Sequence, residues 1–331
     1  MKPTAQYLFE VFKNQKVLII GDVMIDSYIW GKVDRISPEA PVPIVSVDHT
    51  EKRLGGAANV ALNIQALGAE ALLCAVIGKD SESESFMQLM QSNQLSTQCI
   101  ISSESRITTI KHRIISQSQH ILRIDQEHSH NILDDETELL WRKIQQIITS
   151  EKVNVVIFED YDKGVITPQL IQNVVNFCNN KGIPTVVDPK KRNFMCYENV
   201  TLFKPNLKEL KEGLKIEFNA KDKSEVENAT QKLRELLHID RVFVTLSELG
   251  VMMCSEAKLT HVKAHKREIA DVSGAGDTVV SVAALCLGAK FSDELTAELS
   301  NLAGGIVCEK VGVVPININE LLEEATRTEI I

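Results

Sequence analysis

In the stretch DVSGAGDTVVSVAALCLGA, Asp271 to Ala289, a cluster of small residues runs directly into the most apolar segment of the chain. The apolar part, Val279 to Ala289, is far shorter than the ~20 residues that cross a bilayer, so it reads as a helix buried in a protein core. Gly274, Ala275 and Gly276 sit where that helix begins. The first N–H groups of a helix have no partner within it and carry the positive end of its dipole, and side chains this small let a phosphate reach them. Asp277 stands at the mouth of this prospective anion hole, where a carboxylate can accept the proton of an attacking hydroxyl as a phosphoryl group arrives. The alternative at this point is a glycine-containing turn whose aspartate caps the helix.

A helix apolar on every side needs packing partners all around it. Short apolar runs bounded by turn residues recur at Val17–Ile20, Ala71–Ile77, Val153–Phe158, Thr185–Val187, Val200–Phe203 and Val242–Leu246. Between them, Asp134–Ile148, Thr167–Asn179 and Ser224–Leu237 have helical periodicity. This alternation predicts an α/β fold with a mainly parallel sheet wrapped by helices on both faces. Tyr28–Val47 and Ile107–Ile124 break the pattern, reading as alternating strands with no helix between. Four such strands predict a small antiparallel subsheet, an inserted lid over a ligand site. No linker or internal repeat divides residues 1–331, so one domain with a lid from about 28–47 and 107–124 is expected.

Four further segments carry chemistry. In RLGGAANVALNIQALG, Arg53 to Gly68, adjacent Gly55 and Gly56 bare the backbone to a polyhydroxylated ligand, and Asn59 offers both a donor and an acceptor. Tight helix packing is the alternative there. In GDVMID, Asp22 and Asp26 follow the first strand, where open α/β sheets place ligands, although they can equally cap turns. In FKPNLKEL, Asn206 and Glu209 share a helix face, suited to holding waters around a Mg²⁺ that bridges nucleotide phosphates, and also suited to a capping box. EDYDKG, Glu159 to Gly164, and DPKKR, Asp188 to Arg192, each follow an apolar strand, so Asp160, Lys163 and Lys190 are expected to converge on one sheet edge.

Composition narrows the classes. The 331 residues include 36 Lys and Arg against 45 Asp and Glu, a formal charge of −9, the wrong sign for a protein that tracks nucleic acid or an anionic membrane. With 16 Gly and 9 Pro the chain is neither collagen-like nor of low complexity. Pro3, Glu10 and Lys13 interrupt the N-terminus where a signal peptide would be apolar, so a cytoplasmic location is expected. Seven Cys with no CxxC spacing support neither a disulfide framework nor a zinc site, and there is no HExxH. GxxxxGK[ST], a GxGxxG after the first strand, and GxSxG are all missing.

GGAANVALNIQALG and DVSGAGDTVV resemble the two hallmark segments of the ribokinase-like carbohydrate kinases, also called the PfkB family, and KPNLKEL resembles that family's Asn-x-x-Glu element. The likeness is ordered correctly from about residue 16 to residue 315. GKVDRISPEAPVPIVSV, Gly31 to Val47, is similar to the lid of bacterial heptose-7-phosphate kinases, and EDYDKG and ILRID, Ile121 to Asp125, fit the same group. The resemblance implies a ribokinase-like three-layer fold with a β-sheet lid that often mediates dimers. It also implies ATP-dependent phosphorylation of D-glycero-D-manno-heptose 7-phosphate at the anomeric hydroxyl, with no nucleic-acid or membrane partner.

Carried over by residue, the catalytic base falls on Asp277 and the anion hole on Gly274, Ala275 and Gly276. Asp22, Asp26, Gly55, Gly56, Asn59, Arg123, Asp160 and Lys163 take the substrate side. Lys190, Asn206, Glu209, Thr245, Gly250 and Asn301 take the nucleotide side, with Asn206 and Glu209 serving Mg²⁺ through water. Asp271 and Ser273 fall where many relatives hold a monovalent cation such as K⁺. Cys308 and Glu309 stand where smaller residues are expected, and Asp162 adds a negative charge beside the substrate. A nucleotidyltransferase domain follows the kinase in bifunctional members of the group, whereas this sequence ends at Ile331, so a stand-alone kinase or a truncated one is expected.

Overall fold

The computed structural model describes residues 2–117 and 119–331. The first half of the chain forms α1 (Ala5–Lys13), β1 (Lys16–Gly21), β2 (Val23–Ile36), β3 (Pro43–Gly56) and α2 (Ala57–Ala66). It continues through β4 (Glu70–Ile77), α3 (Ser81–Ser92), β5 (Ile100–Ser102), β6 (Ile110–Ser116), β7 (Gln119–Gln126) and α4 (Asp134–Ser150). Then come β8 (Val155–Glu159), α5 (Pro168–Lys181), β9 (Thr185–Asp188), β10 (Leu202–Phe203), α6 (Leu207–Leu214) and α7 (Lys223–Leu236). The last elements are β11 (Arg241–Thr245), β12 (Val251–Ser255), β13 (Leu259–Val262), α8 (Ala275–Gly288), α9 (Asp293–Cys308) and α10 (Ile318–Arg327).

Nine strands form one sheet in the order β13-β12-β11-β10-β9-β8-β1-β4-β5, parallel throughout except for the two antiparallel pairings at the β13 end. Its central strands are apolar on both faces because both are covered. Along β1, Val17 and Ile19 enter one core while Leu18 and Ile20 enter the other. The first core packs against α1, α2, α3, α8, α9 and α10, the second against α4, α5, α6 and α7, giving the three layers expected from the alternation. The segment Val279–Ala289 lies within α8 and its cap, and every residue from Asp277 to Cys286 is buried. Gly21 has no room for a Cβ, which would overlap the carbonyl oxygen of Glu159, so the ends of β1 and β8 approach closely.

The four expected lid strands form a second sheet, ordered β3-β2-β6-β7. One expectation is corrected: the central pair, β2 with β6, is parallel rather than antiparallel. The cause is topological. β2 follows β1 and β6 follows β5, and those two strands run the same way in the main sheet, so their continuations leave it side by side. The strands also extend beyond the expected bounds, back to Val23 and on to Gly56, which puts Asp26 opposite Arg53 and Met24 opposite Gly55 inside the ladder. Of the three prolines in RISPEAPVP, Pro38 and Pro41 occupy the β2–β3 hairpin tip and Pro43 opens β3, where no ladder donor is lost.

The seven cysteines are unbridged. Cys74 and Cys99 are nevertheless brought together where β4 meets β5, a contact that their spacing in sequence conceals. Among the described residues no helix is long and apolar enough to cross a membrane.

Candidate active site

The C-terminal ends of β1, β8 and β9 and the start of α8 meet at one place. Gly274 caps α8 in a left-handed conformation, φ 80°, that favours glycine, and Asp277 lies in the first turn. Asp277 is only 5 % exposed. Its Oδ2 accepts a hydrogen bond from Asn59 Nδ2 at 2.7 Å, and its Oδ1 accepts one from the Tyr161 hydroxyl at 2.9 Å. Burial pushes the Asp277 carboxyl up from its ordinary range, the Asn59 bond opposes this, and nearby Asp188 adds to the rise. A carboxylate with a raised proton affinity and a lone pair left on each oxygen is suited to taking a proton from an alcohol.

The Asn59 side chain is fully buried, and its carbonyl oxygen Oδ1 has no partner. Beside it, Gly56 adopts φ 61° and Gly55 leaves no room for a Cβ against the Asp26 carboxylate. Asp26 is held in turn by Arg113. The guanidinium groups of Arg53 and Arg113 lie over the Tyr28 ring, 4.9 and 5.5 Å from its centroid, and Arg53 also pairs with Glu51 at 2.7 Å. The base of the second sheet therefore presents a polar, cation-rich wall next to Asp277.

A cleft of about 540 Å³ opens on the other side of the α8 N-terminus. It brings together Thr245, Gly250, Asn301, Ala275 and Gly276, all singled out from sequence, with His265, Arg267 and Cys308. Asn301 Nδ2 donates to Lys263 O at 2.9 Å, tying α9 to the cleft wall. Asn206 and Glu209 form the capping box of α6, with reciprocal bonds of 2.8 and 2.9 Å, and Asn206 bridges to Thr245. Glu209 Oε1 also accepts from Lys190 Nζ at 2.8 Å. With one bond on each of its oxygens, Glu209 keeps a lone pair on both, enough to hold water around a cation but not to enclose a bare one.

Several expected site residues have other partners. Asp22, 1 % exposed, accepts backbone N–H bonds from Tyr161, Lys163 and Val165 at 2.9, 3.0 and 3.0 Å, so its carboxylate shapes the EDYDKG loop rather than facing a sugar. Asp160 turns away too. It is bound by Asn193 and Tyr197 at 3.1 and 2.8 Å, and burial, with Asp22 nearby, pushes its carboxyl up to about 6. Lys163 pairs with Glu127 at 2.6 Å and Lys190 with Glu209, so Asp160, Lys163 and Lys190 do not converge on one group. Arg123 is 60 % exposed on β7 and pairs with Asp125 at 2.9 Å. Asp271 braces a loop through the N–H groups of Ser273 and Gly312, at 2.9 and 3.0 Å, and Asp162 is engaged by Arg192.

Sequence reading missed three contributors: Tyr161, whose hydroxyl reaches Asp277, and the buried pair Asp188 and Lys204 at 2.9 Å. Burial alone would raise Asp188, but Lys190 and Lys204 outweigh it and hold the carboxyl below its ordinary range. The available signal was position, since Tyr161 follows the end of β8, which adjoins β1, and Asp188 ends β9, which adjoins β8.

A mainly parallel α/β sheet with a carboxylate at a helix N-terminus, set between a cleft of about 540 Å³ and a polar wall, has the parts that phosphoryl transfer to a small molecule needs. The chain belongs to the pfkB family of carbohydrate kinases, whose family model matches residues 14–319. It is 37% identical over 312 residues to the bifunctional protein HldE of Desulfatibacillum aliphaticivorans, covering 94% of this chain and 63% of that protein. It is 39% identical over 310 residues to HldE of Methylobacillus flagellatus, covering 93% and 62%. The chain thus spans less than two thirds of the length of these relatives.

Among solved structures, the fold is similar to Escherichia coli phosphofructokinase-2 in complex with potassium, with TM-score 0.79, 18% identity and coverage of 95% and 99%. It is also similar to Arabidopsis thaliana ribokinase complexed with ribose and ATP, with TM-score 0.71, 15% identity and coverage of 93% and 99%. The fold is the ribokinase-like three-layer α/β arrangement.

If Asp277 is the base, Asp277→Asn keeps the shape of the site but cannot take the proton, and kcat should fall by roughly 10² to 10⁴ with KM for both substrates close to wild type. Steady-state kinetics check this, and a variant within threefold of wild type would overturn the role.

Proposed function

We propose that the chain transfers the γ-phosphoryl group of ATP to the anomeric hydroxyl of D-glycero-D-manno-heptose 7-phosphate, giving the 1,7-bisphosphate for ADP-heptose and lipopolysaccharide core synthesis. The observation that carries the reading is the Asp277 carboxylate, buried between Asn59 and Tyr161 at the start of α8. The choice of sugar is supported by the second sheet, whose hairpin RISPEAPVP resembles the heptose-7-phosphate kinases, and by the relatives named HldE.

In this mechanism the sugar lies against Gly55, Gly56 and Asn59, where the unpartnered Asn59 Oδ1 accepts a hydroxyl. Asp277 takes the proton of the anomeric hydroxyl as that oxygen attacks phosphorus. The N–H groups at the start of α8 and the Lys190 and Lys204 ammonium groups face the charge on the transferring group. Asn206 and Glu209 would hold a Mg²⁺ through water, and that ion would supply positive charge to offset the nucleotide phosphates. A monovalent cation at Asp271 and Ser273 belongs to the same reading, and rates with and without K⁺ measure it.

The proposal treats residues 1–331 as one cytoplasmic kinase unit with the second sheet as its lid. Two copies would meet through that sheet, because Ile36, Val47, Leu122 and Ile124 are exposed on it and β7 is exposed along its whole length. A light-scattering mass of twice the chain supports the dimer, and a monomeric mass contradicts it.

The sugar's own phosphate needs cations. Arg35 lies nine positions along β2 from Asp26, about 30 Å away at the rise of a strand, and is out of reach within one copy. Of the basic residues in or beside the lid strands, Arg123 is exposed on β7 and paired with Asp125, which leaves Arg53, Lys111 and Arg113, each paired with a carboxylate that a phosphate would displace. Their replacement by Ala should raise KM for the phosphorylated sugar at least tenfold, whereas Arg35→Ala should leave it within twofold. Phosphorus NMR of the product from heptose 7-phosphate and ATP tests the reaction itself. A new anomeric phosphate signal is expected, while no turnover alongside brisk turnover of fructose 6-phosphate or ribose would assign the chain another sugar.

A further inference from the structure

One residue of the EDYDKG loop has no task in this mechanism. Glu159 ends β8, is 0 % exposed, and neither of its carboxyl oxygens has a hydrogen-bond partner. Its side chain is nevertheless aimed at other carboxyls: ligand oxygens of Glu159, Asp188 and Asp277 all lie within 4.8 Å of one another.

These three groups have unlike surroundings. Asp188, from β9, faces Lys204 at 2.9 Å and Lys190 at 3.5 Å. Asp277, from α8, accepts from Asn59 and from Tyr161. Glu159 faces the same two lysines at longer range and receives no donor. Three buried like charges within 4.8 Å of one another do not all stay ionised, and the proton settles where ionisation is least compensated. Asp188 and Asp277 have donors that stabilise the charged form, whereas an unpartnered carboxylate would bear the whole cost of its own burial. Environments that push neighbouring carboxyls apart in this way leave one protonated and the other ionised.

We propose that Glu159 is held as the uncharged carboxylic acid, donating its O–H to one of the two neighbouring carboxylates, and that it acts as a positioning residue which keeps Asp277 ionised for its reaction. The role rests on the reading of Asp277 as the base. Glu159 neither gains nor loses a proton during turnover. A neutral acid here also spares the incoming nucleotide phosphates a further negative charge. The direction of its proton affinity agrees: burial, then Asp188 and Asp277, push the Glu159 carboxyl well above its ordinary range.

The test combines spectroscopy with a pair of variants. The infrared spectrum of the wild-type protein near neutral pH should contain a buried protonated-carboxyl C=O band, sensitive to deuteration, that is lost in Glu159→Gln and retained in Asp277→Asn. Absence of the band, or its loss in Asp277→Asn but not in Glu159→Gln, overturns the proposal. In kinetics, Glu159→Leu removes the donor, so the acid limb of kcat should move to higher pH by about one unit. Glu159→Gln, neutral and still a donor, should restore the limb and exceed the leucine variant at least tenfold in kcat at neutral pH. If the two variants share one pH profile, the positioning role is wrong. Failure of the base reading is separable: Asp277→Asn would then keep its rate while the band still reported a protonated Glu159.

Discussion

The hydrogen bonds at the Asp277 carboxylate join parts of the chain that are distant in sequence. Asn59 stands 218 residues away on α2, and Tyr161 stands 116 residues away in the loop after β8. Each bond to a charged group contributes about 1.5–3 kcal/mol, and the helix terminus at most ~2 kcal/mol more. Those magnitudes compare with the several kcal/mol needed to bury one carboxylate in a protein. The two donors therefore offset much of the cost of burial and lower the pH at which the aspartate becomes charged. The apolar run of α8 fixes the helix axis, and the donors then fix the side chain at its tip.

The donors are held by their own supports. Tyr161 is positioned because Asp22 collects three backbone N–H groups of its loop, and Asp22 directly follows β1, an interior strand of the main sheet. Asn59 is positioned because Gly55 and Gly56 let β3 turn into α2 in close contact with Asp22 and Asp26. β3 also carries Arg53, and its neighbours β2 and β6 carry Tyr28 and Arg113, so the polar wall and the Asp277 pocket share one framework. Charge is distributed unevenly over a chain of net −9: lysines and arginines face the space beside Asp277, most of them already paired with carboxylates. An arriving anion exchanges one negative partner for another, which costs less than neutralising an isolated cation in a dry site.

Much of the fold was legible in the sequence because it depends on local pattern. The apolar runs at Val17–Ile20 and Val242–Leu246 became strands, and Asp134–Ile148 became α4 with two further residues. The small residues before Val279 did open a helix, and Thr245, Gly250 and Asn301 do line one cleft. What escaped was pairing. The parallel match of β2 with β6 follows from strand directions in another sheet, which no local alternation encodes. Asp22 and Asp160 look like ligand-facing acids from their place after a strand, yet backbone N–H groups and Asn193 with Tyr197 claim them. Tyr161 looks like an ordinary loop aromatic until the fold brings it to α8.

The central claim is that Asp277 is an ionised base whose proton affinity, raised by burial, is lowered by its donors Asn59 and Tyr161. Its most direct measurement is kcat against pH for the wild type and for Tyr161→Phe, which removes one donor and little else. Losing a hydrogen bond to the charged form raises the proton affinity of the carboxyl, and activity requires that carboxyl to be ionised. The acid limb of kcat should therefore shift to higher pH in Tyr161→Phe, with most of the rate recovered at the alkaline plateau. An acid limb that does not move, or one that moves to lower pH, would contradict the account.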